Sequence, residues 1–188
     1  MIDRLASGHA LTTATRLLIC LGCIGLSLVI IKDNPMFRDF EAWLASHVVA
    51  IGAAVVTGHV AGSPVLWFTY KPGIEYGLEV TPECTVALLT IPFLLATAAL
   101  VWARTSPVNS LIAVAAAAAL LMVANQLRIL TIVWFIRALG FSSGFYWGHV
   151  IVGSAITIFA IVTSLAVFTV LAVRRSGGPG RAPLPVSQ

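Results

Sequence analysis

The feature that most constrains this chain is the run Val150–Val173, which passes 24 residues without a charge. A helix of that length covers about 36 Å, more than the roughly 30 Å hydrocarbon core of a bilayer. Three other stretches have the same character: one centred on Leu17–Ile31, with Arg16 placed to snorkel at its edge, then Cys84–Ala103 and Thr105–Leu127. Spans are therefore expected near 13–31, 84–103, 106–127 and 148–173. The composition agrees, with 59% hydrophobic and 10% charged residues and a mean hydropathy of +1.00. A soluble globule of this length carries about a quarter charged residues, so both a water-soluble domain and a disordered chain are excluded. The net charge of +4 does not point to nucleic acid, because the eleven Lys and Arg are scattered and form no basic stripe.

Two further segments need arbitration. Ala42–Gly62 is charge-free but holds His47, His59 and glycines, and is preceded by Arg38, Asp39 and Glu41. Ile129–Ile136 is fenced by Arg128 and Arg137. Eight helical residues reach only about 12 Å, so this segment is expected not to span. Lys32-Asp33-Asn34-Pro35 follows the first stretch without a small-x-small site, which argues for a span rather than a signal peptide.

Arg174, Arg175 and Arg181 follow the last span, and Arg4 and Arg16 lie at the N-terminal end. Positive charge beside span ends marks the cytoplasmic side, so both termini are expected inside and the number of crossings even. Four spans satisfy this and place Arg104 inside. Ala42–Gly62 then reads as an interfacial or re-entrant helix on the outer side. Between it and the second span, Trp67, Phe68, Tyr70 and Tyr76 flank Lys71-Pro72-Gly73, a pattern for a short hairpin at headgroup depth.

The expected fold is all-α, a polytopic membrane bundle of about four full spans forming a single domain over 1–175. Interfacial helices are expected near 37–62 and 129–139, a short hairpin loop on the outer side, and a disordered cytoplasmic tail over 176–188.

This topology brings three chemically distinctive residues to the outer interface. Cys84 opens the second span, Arg128 closes the third and His149 opens the fourth. Ionisable groups at such depth cost about 3 kcal/mol or more to bury, so they point to function. The macrodipole at a helix start favours a thiolate at Cys84. At the start of the fourth span the same dipole disfavours imidazolium, leaving His149 a proton acceptor. Arg128, near a helix end, suits a developing oxyanion or a substrate carboxylate. Glu83 works against the thiolate unless it points at Arg128.

Cys20 and Cys23 form a C-x-x-C in mid-span, where packing is the better reading. His47 and His59, twelve residues apart, would lie about 120° apart on a helix and share no face. His9 has no evident partner, and the Cys and His spacings match no zinc motif.

The set Glu83-Cys84-Thr85, Asn125-Gln126-Leu127-Arg128 and His149-Val150-Ile151-Val152-Gly153 resembles the exosortase/archaeosortase family of membrane cysteine transpeptidases and proteases. That family has a Cys at a span start, an Asn-x-x-Arg at a span end and a His followed by Gly four residues on. An amphipathic segment and a hydrophobic loop precede the Cys, which Phe37–Gly62 and Trp67–Pro82 resemble. The likeness covers roughly 37–173. Val86 stands where many members carry Gly after Cys-Ser or Cys-Thr.

The resemblance implies Cys84 as nucleophile, Arg128 as the oxyanion- or substrate-orienting cation and His149 as general acid/base. It implies as substrate a secreted protein with a C-terminal sorting signal: a short motif, a transmembrane helix and a basic end. A thioester acyl-enzyme would pass to an amine, a lipid-linked acceptor or water, with no metal or cofactor. Two competing readings are a non-catalytic membrane assembly or transport subunit, with Ala-rich helices serving close packing, and a haem or metal protein using His47, His59 and His149.

Overall fold

The computed structural model describes residues 2–103 and 105–173, with side chains from Thr13 onward. Arg104, the tail over 176–188 and the side chains of Arg4 and His9 lie outside the described residues, as do Arg174, Arg175 and Arg181. The molecule is mostly helical, and a small three-stranded antiparallel sheet is inserted between its second and third helices. The elements are α1 (Ile2–Lys32), α2 (Asn34–Gly52), β1 (Thr57–His59), β2 (Val65–Lys71) and β3 (Ile74–Glu79), then α3 (Val86–Trp102), α4 (Pro107–Leu139), α5 (Phe141–Phe145) and α6 (Gly153–Val173). A 3₁₀ turn over Pro82–Cys84 leads into α3, and a π-helical segment, Tyr146–Val152, joins α5 to α6. Among the described residues, three helical stretches are long and apolar enough to cross a membrane: Thr13–Lys32, Pro107–Leu139 and Phe141–Ala172. Together they suggest a multi-pass membrane protein.

Two hydrophobic cores divide the molecule. The larger joins α1, α3, the first half of α4 and α6 through residues such as Cys20, Val101, Ala117 and Phe168. Cys20 donates to the Ala98 carbonyl at 3.3 Å and Cys23 is buried beside it, so the C-x-x-C packs helices. At the same end of α3, Arg16 Nη1 donates to the Val101 carbonyl at 3.2 Å, giving its charge a partner near the helix terminus. The smaller core joins Ala42, Ala45 and Val49 of α2, Leu66 and Phe68 of β2, and Ile129, Ile132, Val133 and Ile136 of α4.

That second core corrects the expectation of a separate interfacial helix at 129–139. Those residues continue α4 without a break. A 33-residue helix is about 50 Å long and must leave a 30 Å hydrocarbon layer. The emerging part buries one stripe against α2 and the sheet, and Arg128 sits between the two cores. Gly140, at φ +84°, ends α4 with its N–H on the Ile136 carbonyl and lets the chain reverse into α5.

The region expected to be helical near 37–62 is helical only to Gly52. Beyond Ala53 the β-branched Val55, Val56 and Thr57 leave the helix, and β1 pairs with β2, Thr57 opposite Phe68. The expected hairpin forms with its turn at Pro72-Gly73, Trp67 opposite Gly77 and a bulge at Thr69–Lys71. One face of α2 (Glu41, Ala42, Ala45, Val49) is buried, while Met36, Phe40, Trp43 and Ile51 form an exposed stripe at helical spacing.

The last span was expected to begin near 148, but helical structure runs from Phe141. Three glycines hold this run against α4. A methyl at Gly144 would collide with Phe135 and Ile136, one at Gly148 would approach Ile132 Cα to 2.9 Å, and one at Gly153 would approach Arg128 Nε to 3.1 Å. The facing positions on α4 step by four residues, whereas the glycines step by four and then five. The π segment absorbs the surplus residue and keeps the helices in close register.

Candidate active site

Cys84 ends the 3₁₀ turn, its backbone N–H on the Thr81 carbonyl at 2.9 Å, and its side chain is half-buried. Arg128 lies on α4 where the two cores divide, and His149 lies in the π segment. All three line one cavity of about 500 Å³, whose other walls include Leu78, Val80 and Thr81 at the end of β3, Asn125 and Phe145. The structure thus brings the three sequence-selected residues together. Cys84 and Arg128 also line a narrower crevice of about 260 Å³ toward the larger core.

Arg128 Nη2 lies 3.4 Å from His149 Nδ1. A guanidinium can only donate, so this contact needs Nδ1 unprotonated and the ring proton on Nε2. Phe145 stacks on the imidazole, centroids 4.9 Å apart and planes 12° apart, fixing the ring's orientation. Arg128 Nε is buried with no acceptor, and no carboxylate among the described residues forms an ion pair with this guanidinium. A half-buried cation with an unused donor at a cavity wall is suited to an anion or a polarised carbonyl. Gly153 has no side chain to keep that guanidinium away.

The helix-dipole roles expected from sequence are corrected here. Arg128 is far inside α4 rather than at its end, and His149 is two turns beyond the start of its helix. A macrodipole acts only over the terminal turn, so neither residue draws on one. Cys84 does precede α3, but the free N–H groups there are taken by another residue. Glu41, only 1% exposed, accepts from Val86 N at 2.9 Å and Ala87 N at 3.3 Å, and from the Thr85 hydroxyl at 2.7 Å. Its second oxygen accepts from Asn125 Nδ2 at 3.0 Å. Burial pushes the Glu41 carboxyl above its usual range, and these hydrogen bonds oppose that shift by favouring the anion. Glu83, by contrast, is exposed; its own backbone N–H and Thr81 hold it below the usual carboxylate range.

Sequence reading passed over Glu41, Phe145 and the π segment. A signal for Glu41 was present, since it falls on the same helical stripe as Ala45 and Val49, where an acid is out of place. His47 and His59 do not share a helix, since His47 lies on α2 and His59 on β1. Both line a shallow cavity of about 540 Å³, His59 Nε2 on Asp39 Oδ1 at 2.8 Å and His47 Nδ1 within 2.9 Å of the Trp43 carbonyl. No group of three or more His, Cys, Asp or Glu among the described residues is arranged to hold a metal.

Gly153 provides a direct test of this geometry. A methyl there would lie 2.7 Å from the Gly148 carbonyl and against Arg128 Nε, so Gly153→Ala must shift the π segment or the guanidinium. For a catalytic Cys84, the expected result is a loss of about a hundredfold in the rate of substrate processing by membranes carrying the variant, the scale of an ångström-level misplacement. Gly22→Ala and Gly25→Ala, which have nothing within 4 Å, should leave the rate unchanged.

No family model matches the chain, and no curated protein or solved structure matches it.

Proposed function

We propose that this protein is a membrane-embedded cysteine transpeptidase or protease of the exosortase/archaeosortase type. The observation that carries the reading is one cavity, also lined by Glu79, walled by a thiol, an imidazole and a guanidinium that has no carboxylate partner among the described residues. Cys84 Sγ attacks the scissile carbonyl carbon, and its proton passes to His149. Arg128 turns from Nδ1 toward the oxyanion, which frees the ring nitrogen that takes the proton. Collapse breaks the C–N bond; the leaving amine takes the proton from His149, and a thioester remains on Cys84. A hydroxyl, an amine or water then attacks the thioester, giving its proton to His149 as the thiolate leaves.

In this reading α3 is the fourth crossing. Its 17 residues cover about 25 Å, and the 3₁₀ turn extends it toward the interface. Exposed Trp102 at one end and Tyr146 and Trp147 at the other fit two interfacial belts. The exposed Met36–Ile51 stripe fits α2 lying in the interface. The positive-inside rule puts the termini in the cytoplasm and the cavity outside. The substrate is a secreted protein held by a C-terminal transmembrane sorting signal. A lipid-facing apolar groove of about 890 Å³ between α4 and α6 suits such a helix, and it shares Ala124 and Ala160 with the crevice that reaches Cys84.

The test is to isolate the protein from its native membranes and examine Cys84 by mass spectrometry. The expected result is a fraction of Cys84 acylated by a polypeptide C-terminus and released by neutral hydroxylamine, as thioesters are. An unmodified Cys84 throughout turnover, while substrate is being shortened, would remove the covalent mechanism.

A further inference from the structure

We propose that Glu41 is a positioning residue that fixes the separation between Cys84 and Arg128. It stands outside the cavity and outside the steps assigned above, yet it joins the two elements that carry the reacting groups. One oxygen collects the Thr85 hydroxyl and the Val86 and Ala87 N–H groups, which begin immediately after Cys84. The other receives Asn125, one helical turn before Arg128 on the same face of α4. A single planar group with four hydrogen bonds thereby sets how far the first turn of α3 lies from that face.

The turn of α2 just before Glu41 is tied to the sheet. On α2, Arg38 donates to the Val80 carbonyl and to Glu79 Oε1, the latter at 2.7 Å, and Asp39 pairs with His59 on β1. The sheet and α2 thus form a brace whose inward contact is Glu41. The arrangement also gives Asn125 a role: it presents a donor to the carboxylate three residues before the cation.

Position and charge predict opposite signs. A carboxylate at the start of α3 disfavours a thiolate nearby, so a purely electrostatic Glu41 would slow the thiol, and its removal would speed Cys84 alkylation. A positioning Glu41 predicts the reverse, because its loss lets Cys84 drift from Arg128 and from His149, the base across the cavity that takes its proton.

The test measures alkylation of Cys84 by iodoacetamide against pH, in the full chain reconstituted in vesicles, with modified peptides counted by mass spectrometry. Glu41→Ala should slow alkylation near neutral pH about tenfold or more. Glu41→Gln should restore the rate to within a few-fold, since the amide keeps an acceptor for α3 and Asn125 can turn over to accept from it. Asn125→Ala should slow the thiol too, and the double variant Glu41→Ala/Asn125→Ala should be no slower than Glu41→Ala alone, because both cut one link.

Faster alkylation in Glu41→Ala, additive losses in the double variant, or Glu41→Gln as slow as Glu41→Ala would each overturn the proposal. Should Glu41→Ala not fold, an unchanged rate in Asn125→Ala would do so. The inference rests on the enzymatic reading only for its purpose. Alkylation needs no substrate, so a failed protease assignment and a failed positioning role are separately visible.

Discussion

Replacing Cys84 by alanine is expected to abolish processing of the substrate protein while leaving a folded, membrane-inserted chain. The thiol side chain belongs to neither hydrophobic core, and the turn that carries it is held by backbone, Cys84 N to Thr81 O. Removing one sulfur atom therefore leaves the packing intact and deletes the nucleophile. The expected loss is about 10⁴-fold or more, the scale seen when a member of a nucleophilic catalytic set is removed. Cys84→Ser should be nearly as inactive, because a hydroxyl needs far stronger deprotonation than a thiol. The measurement is the ratio of full-length to shortened substrate in membranes carrying each variant. Processing at the wild-type rate in the alanine variant would end the thiol mechanism.

Arg128→Ala should cost about 10²–10³ in kcat, the scale of removing an oxyanion donor, with a smaller change in KM. In the proposed mechanism the cation interacts chiefly with developing charge, and its buried Nε has no acceptor among the described residues. Arg128→Lys should recover only part of the loss, since an ammonium keeps the charge but not the planar fork of donors. His149→Ala should lose about 10²–10⁴ from proton transfer. The two losses should not add fully, because Nη2 and Nδ1 face each other at 3.4 Å and each orients the other. Retention of full activity by both single variants would remove the acid/base and oxyanion roles together.

The long uncharged runs were legible because a bilayer imposes a length and a polarity that few other solvents demand. The hairpin was legible from Pro72-Gly73 between aromatic segments. The second half of α4 was misread for a definable reason. In the sequence Arg128 and Arg137 fence a short piece that reads as interfacial, since a charge in an apolar run commonly marks the edge of lipid. In the fold, Ile129, Ile132, Val133 and Ile136 face α2 and β2, so the helix continues into protein rather than stopping at a headgroup. Their spacing of three and four was in the sequence, but the surface that buries them was not.

Local chemistry marked Cys84, Arg128 and His149, because a charge, an imidazole or a lone thiol beside a span is conspicuous against hydrocarbon. The reasons first attached to them were helix-end dipoles, and those depended on helix boundaries that moved. Glu41 shows the converse: it reads as part of the charged entry to Ala42–Gly62 and is instead buried against the start of α3.

By itself, then, the sequence determined that this chain carries uncharged runs long enough to cross a bilayer, and it marked three side chains that stand out beside them. Hydropathy and span length are properties of contiguous residues, added along the chain against a solvent of fixed thickness. Only the tertiary structure decided that the three side chains face one cavity, that Glu41 takes the start of α3, and that Arg128 lacks a carboxylate partner among the described residues. Those facts depend on residues distant in sequence meeting at distances set by glycine contacts, a π segment and one buried carboxylate, and no local pattern encodes such distances.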